Sequence, residues 1–153
     1  MKAQTREMKQ YLEPAQSCVC FNLRKSARAI TQMYEDALRP TGLRATQFSL
    51  LVATRLHGVA TINRLARALV MDRTTLTRNL KPLEKQGLLR INPGSEDRRE
   101  REVTLTIAGQ DILSKALPLW KQVQQHITKA LGQTRVDRLL KDLSVSIEVT
   151  EGR

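Results

Sequence analysis

The sequence predicts a mainly α-helical fold with one small β-hairpin. Three observations lead to this prediction. Apolar residues recur at helical spacing through most of the 153-residue chain. Proline or glycine interrupts this periodicity where helices should end, as at Pro40, Gly42 and Gly58. Two short segments that alternate apolar and polar residues flank a polar tip containing glycine, which is typical of a hairpin.

Two helices are predicted in the first third of the chain. Residues 17–38 carry apolar side chains at helical spacing and form a long amphipathic helix. Residues 46–56 form a second helix. Residues 1–15 combine charge with little periodicity, so they are expected to be an N-terminal arm that orders only by packing on a partner. Residues 16–153 then form a single domain.

The central residues 61–106 predict two short helices followed by the hairpin. Thr61 is expected to cap the first helix and Asp72 the second, because a side-chain oxygen before a helix accepts a free backbone N–H. Residues 88–91 and 102–106 alternate like the two strands of a hairpin with a charged loop. The sequence therefore predicts helix, turn, helix and hairpin in immediate succession.

Two further helices complete the predicted fold. Residues 107–131 form a long helix capped by Thr106, and residues 134–149 form the last one. Pro118 should kink the long helix, because proline removes a backbone hydrogen bond. Trp120 is expected in the core or an interface, with the wall of a pocket as the alternative.

Charge and composition restrict the function. The net charge of +11 and the pI of about 10.4 make polyanions, and nucleic acid first, the expected partners. Aromatic residues make up only 3%, which disfavours single-stranded nucleic acid and favours duplexes. The absence of a long apolar run or a signal-type N-terminus predicts a cytoplasmic protein. No nucleophile with a positioned base, phosphate loop or metal-ligand cluster stands out, so neither an enzyme nor a cofactor is expected.

The second central helix has a face of hydroxyls and cations. With Leu76 pointing inward, the opposite face carries Thr74, Arg78, Lys81 and Lys85, flanked by Thr75 and Thr77. An α-helix fits the major groove, where arginine binds guanine with two hydrogen bonds, so Arg78 is the predicted base reader. Lys81 and Lys85 would supply non-specific attraction. The alternative is that this stripe is simply a solvated helix face.

The hairpin tip predicts a role that depends on geometry. Its cations and anions nearly cancel, because Arg98, Arg99 and Arg101 stand beside Glu96, Asp97 and Glu100. Bulk attraction is therefore not its purpose. Asp97 is expected to brace the loop and leave an arginine free to enter a narrow minor groove, where the potential is most negative.

These residues resemble a known family. Residues 65–113 have the sequence LARALVMDRTTLTRNLKPLEKQGLLRINPGSEDRREREVTLTIAGQDIL, which resembles the core of the MarR family of bacterial regulators. The preceding residues 38–51, LRPTGLRATQFSLL, are similar too. The most specific parts are DRTTLTR, the LE-x-x-GL pattern of residues 83–88, the D-x-R of Asp97 and Arg99, and LTIAG.

The resemblance implies a fold, an assembly and a function. The fold would be a winged helix-turn-helix domain at about residues 44–107, with dimerisation helices at about 16–38 and 107–150 that intertwine in a homodimer. The recognition helix would carry Arg73, Thr74, Thr75, Thr77 and Arg78, and Arg99 would enter the minor groove. The function would be that of a sequence-specific transcriptional repressor on a near-palindromic operator. The alternative from another class is a non-specific architectural DNA-binding protein.

Three positions depart from the family pattern. Arg44 stands where the family often has a serine or threonine helix cap. Pro82 falls inside the recognition helix, where it should bend the axis. Val70 lies in the helix-turn-helix turn where glycine would ease a positive φ, so a turn without positive φ is expected there.

The sensed signal has two candidates. The resemblance implies release by a small aromatic ligand or by cysteine oxidation. Cys18 and Cys20 are too close for an ordinary structural disulfide, and nearby Arg24 and Lys25 would stabilise a thiolate. The alternative for Cys20 is a small buried residue at the dimer interface. The two cysteines and the scattered histidines, His57 and His126, lack zinc-ligand spacing. His57 is expected to complement a helix dipole or to be a satisfied surface residue.

Overall fold

A computed structural model describes residues 11–151 of the chain. A 3₁₀ turn, Arg39–Thr41, follows the first long helix. Residues 11–17, which include the last five residues of the expected arm (11–15), are helical and exposed, and residues 1–10 of that arm lie outside the described residues. The helices are α1 (Val19–Leu38), α2 (Ala45–His57), α3 (Ile62–Ala68), α4 (Arg73–Lys85), α5 (Ile107–Leu131) and α6 (Gln133–Glu151).

A three-stranded antiparallel sheet adjoins the helices. Its strands are β1 (Ala60–Thr61), β2 (Leu89–Pro93) and β3 (Arg101–Leu105), in the order β1, β3, β2. The predicted hairpin is β2 and β3, with Ile91 opposite Val103. The sequence did not reveal β1, because two residues are too few to show strand periodicity and the partner strand lies about forty residues away. The mainly helical fold with a small sheet is confirmed.

The core joins the central helix pair to the sheet. Leu76, Leu80 and Leu83 on the inner face of α4 are completely buried. They belong to one apolar cluster with Leu51 of α2 and Val103 of β3. Each such leucine contributes about 1.5–3 kcal/mol through the removal of its side chain from water. The orientation of α4 is therefore fixed by its leucines, and its opposite face is left to solvent.

All three predicted helix caps are present. Thr61 Oγ1 accepts the N–H of Arg64 at 3.2 Å, and Asp72 Oδ1 accepts the N–H of Thr75 at 2.8 Å. Thr106 Oγ1 accepts the N–H of Gly109 at 3.0 Å. These bonds satisfy backbone donors that have no partner within their own helices.

The turn between α3 and α4 contradicts one expectation. Val70 has φ of 51°, a left-handed conformation that is uncommon for a β-branched residue. Backbone bonds from Val70 N to Arg67 O and from Met71 N to Ala66 O hold the turn in place. The prediction of a turn without positive φ was wrong, because these helix-ending bonds and the packing of α3 against α4 determine the turn.

The other departures are accommodated locally. No side chain at Arg44 caps α2; instead Gln47 Oε1 accepts the N–H of Arg44 at 2.9 Å, and Glu35 Oε1 accepts the N–H of Ala45 at 2.9 Å. Helix α4 runs through Pro82, and helix α5 runs through Pro118.

Among residues 11–151, none of the helices combines the length and the apolar character that spanning a membrane requires.

Candidate nucleic-acid interface

The outward face of α4 carries the residues predicted to contact DNA. Arg78 is exposed on this helix, between the buried Leu76 and Leu80 in sequence. Thr77 Oγ1 donates to the carbonyl of Arg73 at 2.8 Å. The Thr77 hydroxyl is therefore used within the helix. The exposed members of the set are Arg73, Thr74, Arg78, Lys81 and Lys85, and the half-buried ones are Thr75 and Thr77.

The N-terminus of α4 is held by Asp72. Hydrogen bonding by Thr75, through its hydroxyl and its backbone N–H, lowers the pKa of the Asp72 carboxyl. The carboxylate also lies at the positive end of the helix dipole, which favours a negative charge. The first turn of α4, which contains Arg73 and Thr74, is thereby fixed before any ligand arrives.

The stability that Asp72 contributes as a helix cap should depend on pH. Because the folded-state pKa lies below the ordinary value of 3.8, the cap contributes fully above that value and is lost as pH falls through the folded pKa. We expect Asp72→Ala to lower the melting temperature at neutral pH, and the difference from wild type to shrink below about pH 4. Thermal melts from pH 7 to pH 3 test this. Asp72→Asn keeps a hydrogen-bond acceptor, so its melting temperature should fall less. A difference in melting temperature between wild type and Asp72→Ala that stays constant with pH would contradict a cap that depends on the carboxylate.

Strands β2 and β3 form the wing, and its tip, residues 94–100, is a closed and tightly packed turn. Gly94 N donates to the carbonyl of Glu100 at 3.0 Å, and Glu100 N donates to the carbonyl of Asp97 at 3.0 Å. Asp97 Oδ1 accepts the N–H of Arg99 at 2.8 Å. A Cβ on Gly94 would lie 2.4 Å from Asp97 O, so only glycine fits. The backbone on both sides of Arg99 is therefore fixed by Asp97.

A second carboxylate fixes the base of the wing. Glu102 Oε1 accepts both the N–H of Ser95 at 3.1 Å and its hydroxyl at 2.9 Å. The sequence did not single out Glu102, which was assigned only to a strand. The signal that was available is a serine seven residues before a glutamate across a predicted hairpin. Glu102 and Asp97 brace the two ends of the same loop.

The wing and the N-terminus of α4 meet at a small cleft. Arg73, at the start of α4, lines this cleft together with Arg99 and Arg101 of the wing. Its volume is about 90 Å³, and Asn63 of α3 contributes to its wall. The structure thus brings Arg73 and Arg99 together, while Lys85 lies at the opposite end of α4. Arg98 is exposed on the wing and does not line the cleft.

The cations of this surface are not neutralised by neighbouring carboxylates. Within residues 11–151, the one side-chain ion pair joins Arg39 to Asp36, remote in sequence from α4 and the wing. The carboxylates of Asp97 and Glu102 accept hydrogen bonds from backbone N–H groups and from the Ser95 hydroxyl, not from guanidinium groups. The arginines and lysines of α4 and the wing therefore keep their charge available for a polyanion.

Comparison with known proteins decides the family. The model of the MarR family matches residues 43–101. The organic hydroperoxide resistance transcriptional regulator of Bacillus subtilis (strain 168) is 31% identical over 101 residues, which cover 66% of this chain and 69% of that regulator. The chain belongs to the MarR family. The resemblance drawn from residues 38–51 and 65–113 is thus confirmed.

Solved structures of MarR-family proteins on DNA share this fold. The transcriptional regulator MosR of M. tuberculosis, in complex with DNA, is 40% identical with a TM-score of 0.77, covering 88% of this chain and 98% of MosR. A cysteine-to-serine mutant of MarR from E. coli, complexed with operator DNA, is 25% identical with a TM-score of 0.79, covering 88% of this chain and 97% of that one. This MarR-family chain is a DNA-binding transcriptional regulator and not an enzyme.

The cysteines, His57 and Trp120, which the sequence also singled out, all lie outside α4 and the wing. Cys18 precedes α1, where its Sγ accepts the N–H of Phe21 at 3.5 Å, and both Cys18 and Cys20 are exposed free thiols. His57 is half-buried in the last turn of α2. Trp120 is half-buried against the core and also lines two cavities, so both interpretations offered for it apply. No group of three or more metal-ligating side chains occurs among the residues described.

Proposed function

We propose that this MarR-family regulator is a sequence-specific repressor that binds a near-palindromic operator as a homodimer. The observation that carries the proposal is the arrangement of α4 and the wing. One face of α4 is fixed by buried leucines and the other carries unpaired cations. A braced wing lies beside the N-terminus of that helix. One element would enter the major groove and the other the adjacent minor groove.

The residues of this interface would act in three ways. Arg78 would read a guanine in the major groove, with Thr74, Thr75 and Thr77 contacting phosphates or thymine methyl groups. Arg99, held by Asp97, would enter the minor groove. The remaining contacts would be with backbone phosphates and fix the orientation of the protein, and they would come from Arg73, Lys81, Lys85 and Arg98.

Unpartnered apolar side chains support the homodimer. Val19, Phe21 and Ile30 of α1 are exposed although they are large and apolar. On α6, Leu140 and Val149 are more than half exposed. Exposed apolar surface of this extent on two helices marks a protein interaction face. A second copy with the same faces would bury it and place two α4 helices about one turn of DNA, roughly 10 base pairs, apart.

A rigid joint would carry the signal from the dimerisation helices to the DNA. Thr106 Oγ1 donates to the carbonyl of Gly87 at 2.7 Å, and Thr106 N donates to that of Leu88 at 3.2 Å. The first turn of α5 is therefore bonded to the turn that follows α4. A ligand or an oxidation that favours a different arrangement of α5 would alter the spacing of the recognition helices and release the operator.

Substitution of Arg78 separates a repressor from an architectural protein. We expect Arg78→Ala to weaken operator binding by about 1–3 kcal/mol and to relax the preference at one base position. Lys81→Ala, three residues further along the same face, should weaken all sequences alike and reduce the salt slope by about one. Fluorescence anisotropy on operator and single-base variants measures both. Equal losses on every sequence from both variants would favour the architectural alternative.

Oxidation through Cys18 or Cys20 is a separate hypothesis. It is supported by the exposure of both thiols and by a relative whose name describes organic hydroperoxide resistance. We expect peroxide to lower operator affinity of the wild type, and the double variant Cys18→Ser, Cys20→Ser to resist it. Anisotropy before and after peroxide, with reduction by dithiothreitol as the control, tests this. Unchanged affinity of the wild type after peroxide would contradict the hypothesis. Release by a small ligand would then be the remaining mechanism, and the DNA binding of a structural neighbour, BpsR of Bordetella bronchiseptica, is regulated by 6-hydroxynicotinic acid.

A further inference from the structure

Arg101 completes a set of three arginines in the cleft between the wing and the N-terminus of α4. Strand β1 pairs with β3 so that Thr61 lies opposite Glu102, which places the preceding residue, Arg101, beside the start of α3. Side chains alternate along a strand, so Arg101 and the buried Val103 lie on the same face of β3. The pairing of β1 with β3 therefore brings a cation of the wing to the helices.

The cleft has an excess of positive charge. Its lining residues carry three positive charges and one negative charge, that of Glu100, which leave a net charge of +2. Among residues 11–151, no guanidinium of the cleft forms an ion pair, either with Glu100 or with another acid. The carboxylates of Asp72, Asp97 and Glu102 accept backbone N–H groups instead. A bound anion would relieve the repulsion between the guanidinium groups.

The size and the donors of the cleft suit one phosphate group. Its volume of about 90 Å³ corresponds to a few water molecules, so a base or a sugar would not fit. Each arginine offers paired N–H donors that match two oxygens of a phosphate. Asn63, which is exposed in the wall of the cleft, adds a side-chain amide with further N–H donors.

We propose that this cleft binds one phosphate of the DNA backbone, held by Arg101 from the wing and by Arg73 and Asn63 from the helices. The inference rests on the proposed function, because it requires α4 and the wing to face the same duplex. It adds Arg101 and Asn63 to the interface. The bound phosphate would also bridge the wing to α4 and so fix the position from which Arg99 enters the minor groove.

Neutralisation of single backbone phosphates tests the proposal on the operator that site selection yields. A methylphosphonate group replaces one charged phosphate by a neutral group, at each position of both strands in turn. We expect one position in each half-site at which this change lowers wild-type affinity about tenfold, the loss of a charge-assisted contact. Arg101→Gln should lose about as much on the unmodified duplex and nothing further at that position. A further loss there as large as that of the wild type would overturn the assignment.

Arg90→Gln is the matched control, because it removes the same charge from the same wing. Arg90 is an exposed residue of β2, lies opposite Thr104 and does not line the cleft. This variant should keep the wild-type dependence on the identified phosphate. If Arg90→Gln loses that dependence as Arg101→Gln does, the net charge of the wing and not the cleft is responsible, and the proposal is wrong.

Inorganic phosphate tests the cleft in the free protein, without an operator. At equal ionic strength, phosphate should raise the melting temperature of the wild type and of Arg90→Gln above the value in chloride, and do so less for Arg101→Gln. Equal stabilisation of all three proteins would overturn the proposal. Stabilisation that depends on Arg101, without a backbone position that does, would indicate a site for a free oxyanion and contradict the DNA contact. Either failure leaves the base preference of Arg78, and with it the repressor, to its own test.

Discussion

Leu80→Ala is expected to destabilise the protein by about 2–5 kcal/mol, the range for a buried leucine that leaves a cavity. The Leu80 side chain is completely buried on the inner face of α4, in the same cluster as Leu76 and Leu83. Their contacts set the rotation of α4 about its own axis. The variant should therefore lose operator affinity as well as stability, although Leu80 does not face the DNA.

Chemical denaturation at a fixed protein concentration measures this effect, since association contributes to the stability of a dimer. Lys81→Ala is the matched control, because Lys81 is the next residue and is exposed. Its free energy of unfolding should stay within about 0.5 kcal/mol of the wild type. A loss below about 1 kcal/mol for Leu80→Ala would mean that the core does not hold α4 as described.

Gly109→Ala is expected to destabilise the protein by about 1–3 kcal/mol or more, because it overpacks a buried joint. A Cβ on Gly109 would lie 2.0 Å from Leu88 O and 2.8 Å from Leu105 Cδ1. Leu88 O is itself bonded to Thr106 N, so the carbonyl has little freedom to retreat. The first turn of α5 would have to move away from the sheet.

The Gly109→Ala substitution should also weaken DNA binding, because the same joint connects α5 to the end of α4. The melting temperature and the operator affinity of the variant should both fall. Gln110→Ala is the control, since Gln110 is exposed on the adjacent position of the same helix. A Gly109→Ala variant with wild-type stability would show that α5 shifts freely at this point, against the rigid joint inferred from Thr106.

The helices were predictable because their signals are local. Thr61, Asp72 and Thr106 each cap the helix that follows them, and the leucine spacing of α4 defines its buried face. Strand β1 was not predictable, because its pairing with β3 depends on residues distant in the chain. The positive φ of Val70 was missed because tertiary packing overrides the intrinsic preference of valine.

The face of α4 on which each candidate residue lies was predictable, and the hydrogen bonds that brace the wing were less so. The periodicity of α4 was sufficient to separate Arg78 from Leu76, since both lie on one regular helix. The bond from Ser95 to Glu102 depends on the register of the hairpin, which residue types alone do not fix. The meeting of Arg73 with Arg99 likewise requires the packing of α4 against the wing, which only the folded chain provides.

Selection of binding sites from a library of random duplexes, at near-physiological salt, tests whether this regulator recognises a specific near-palindromic sequence. We expect enrichment of a near-palindrome with half-site centres about 10 base pairs apart, bound about a thousandfold or more tightly than scrambled DNA. No enriched sequence, together with an affinity that is equal for all duplexes and collapses as salt is raised, would contradict it.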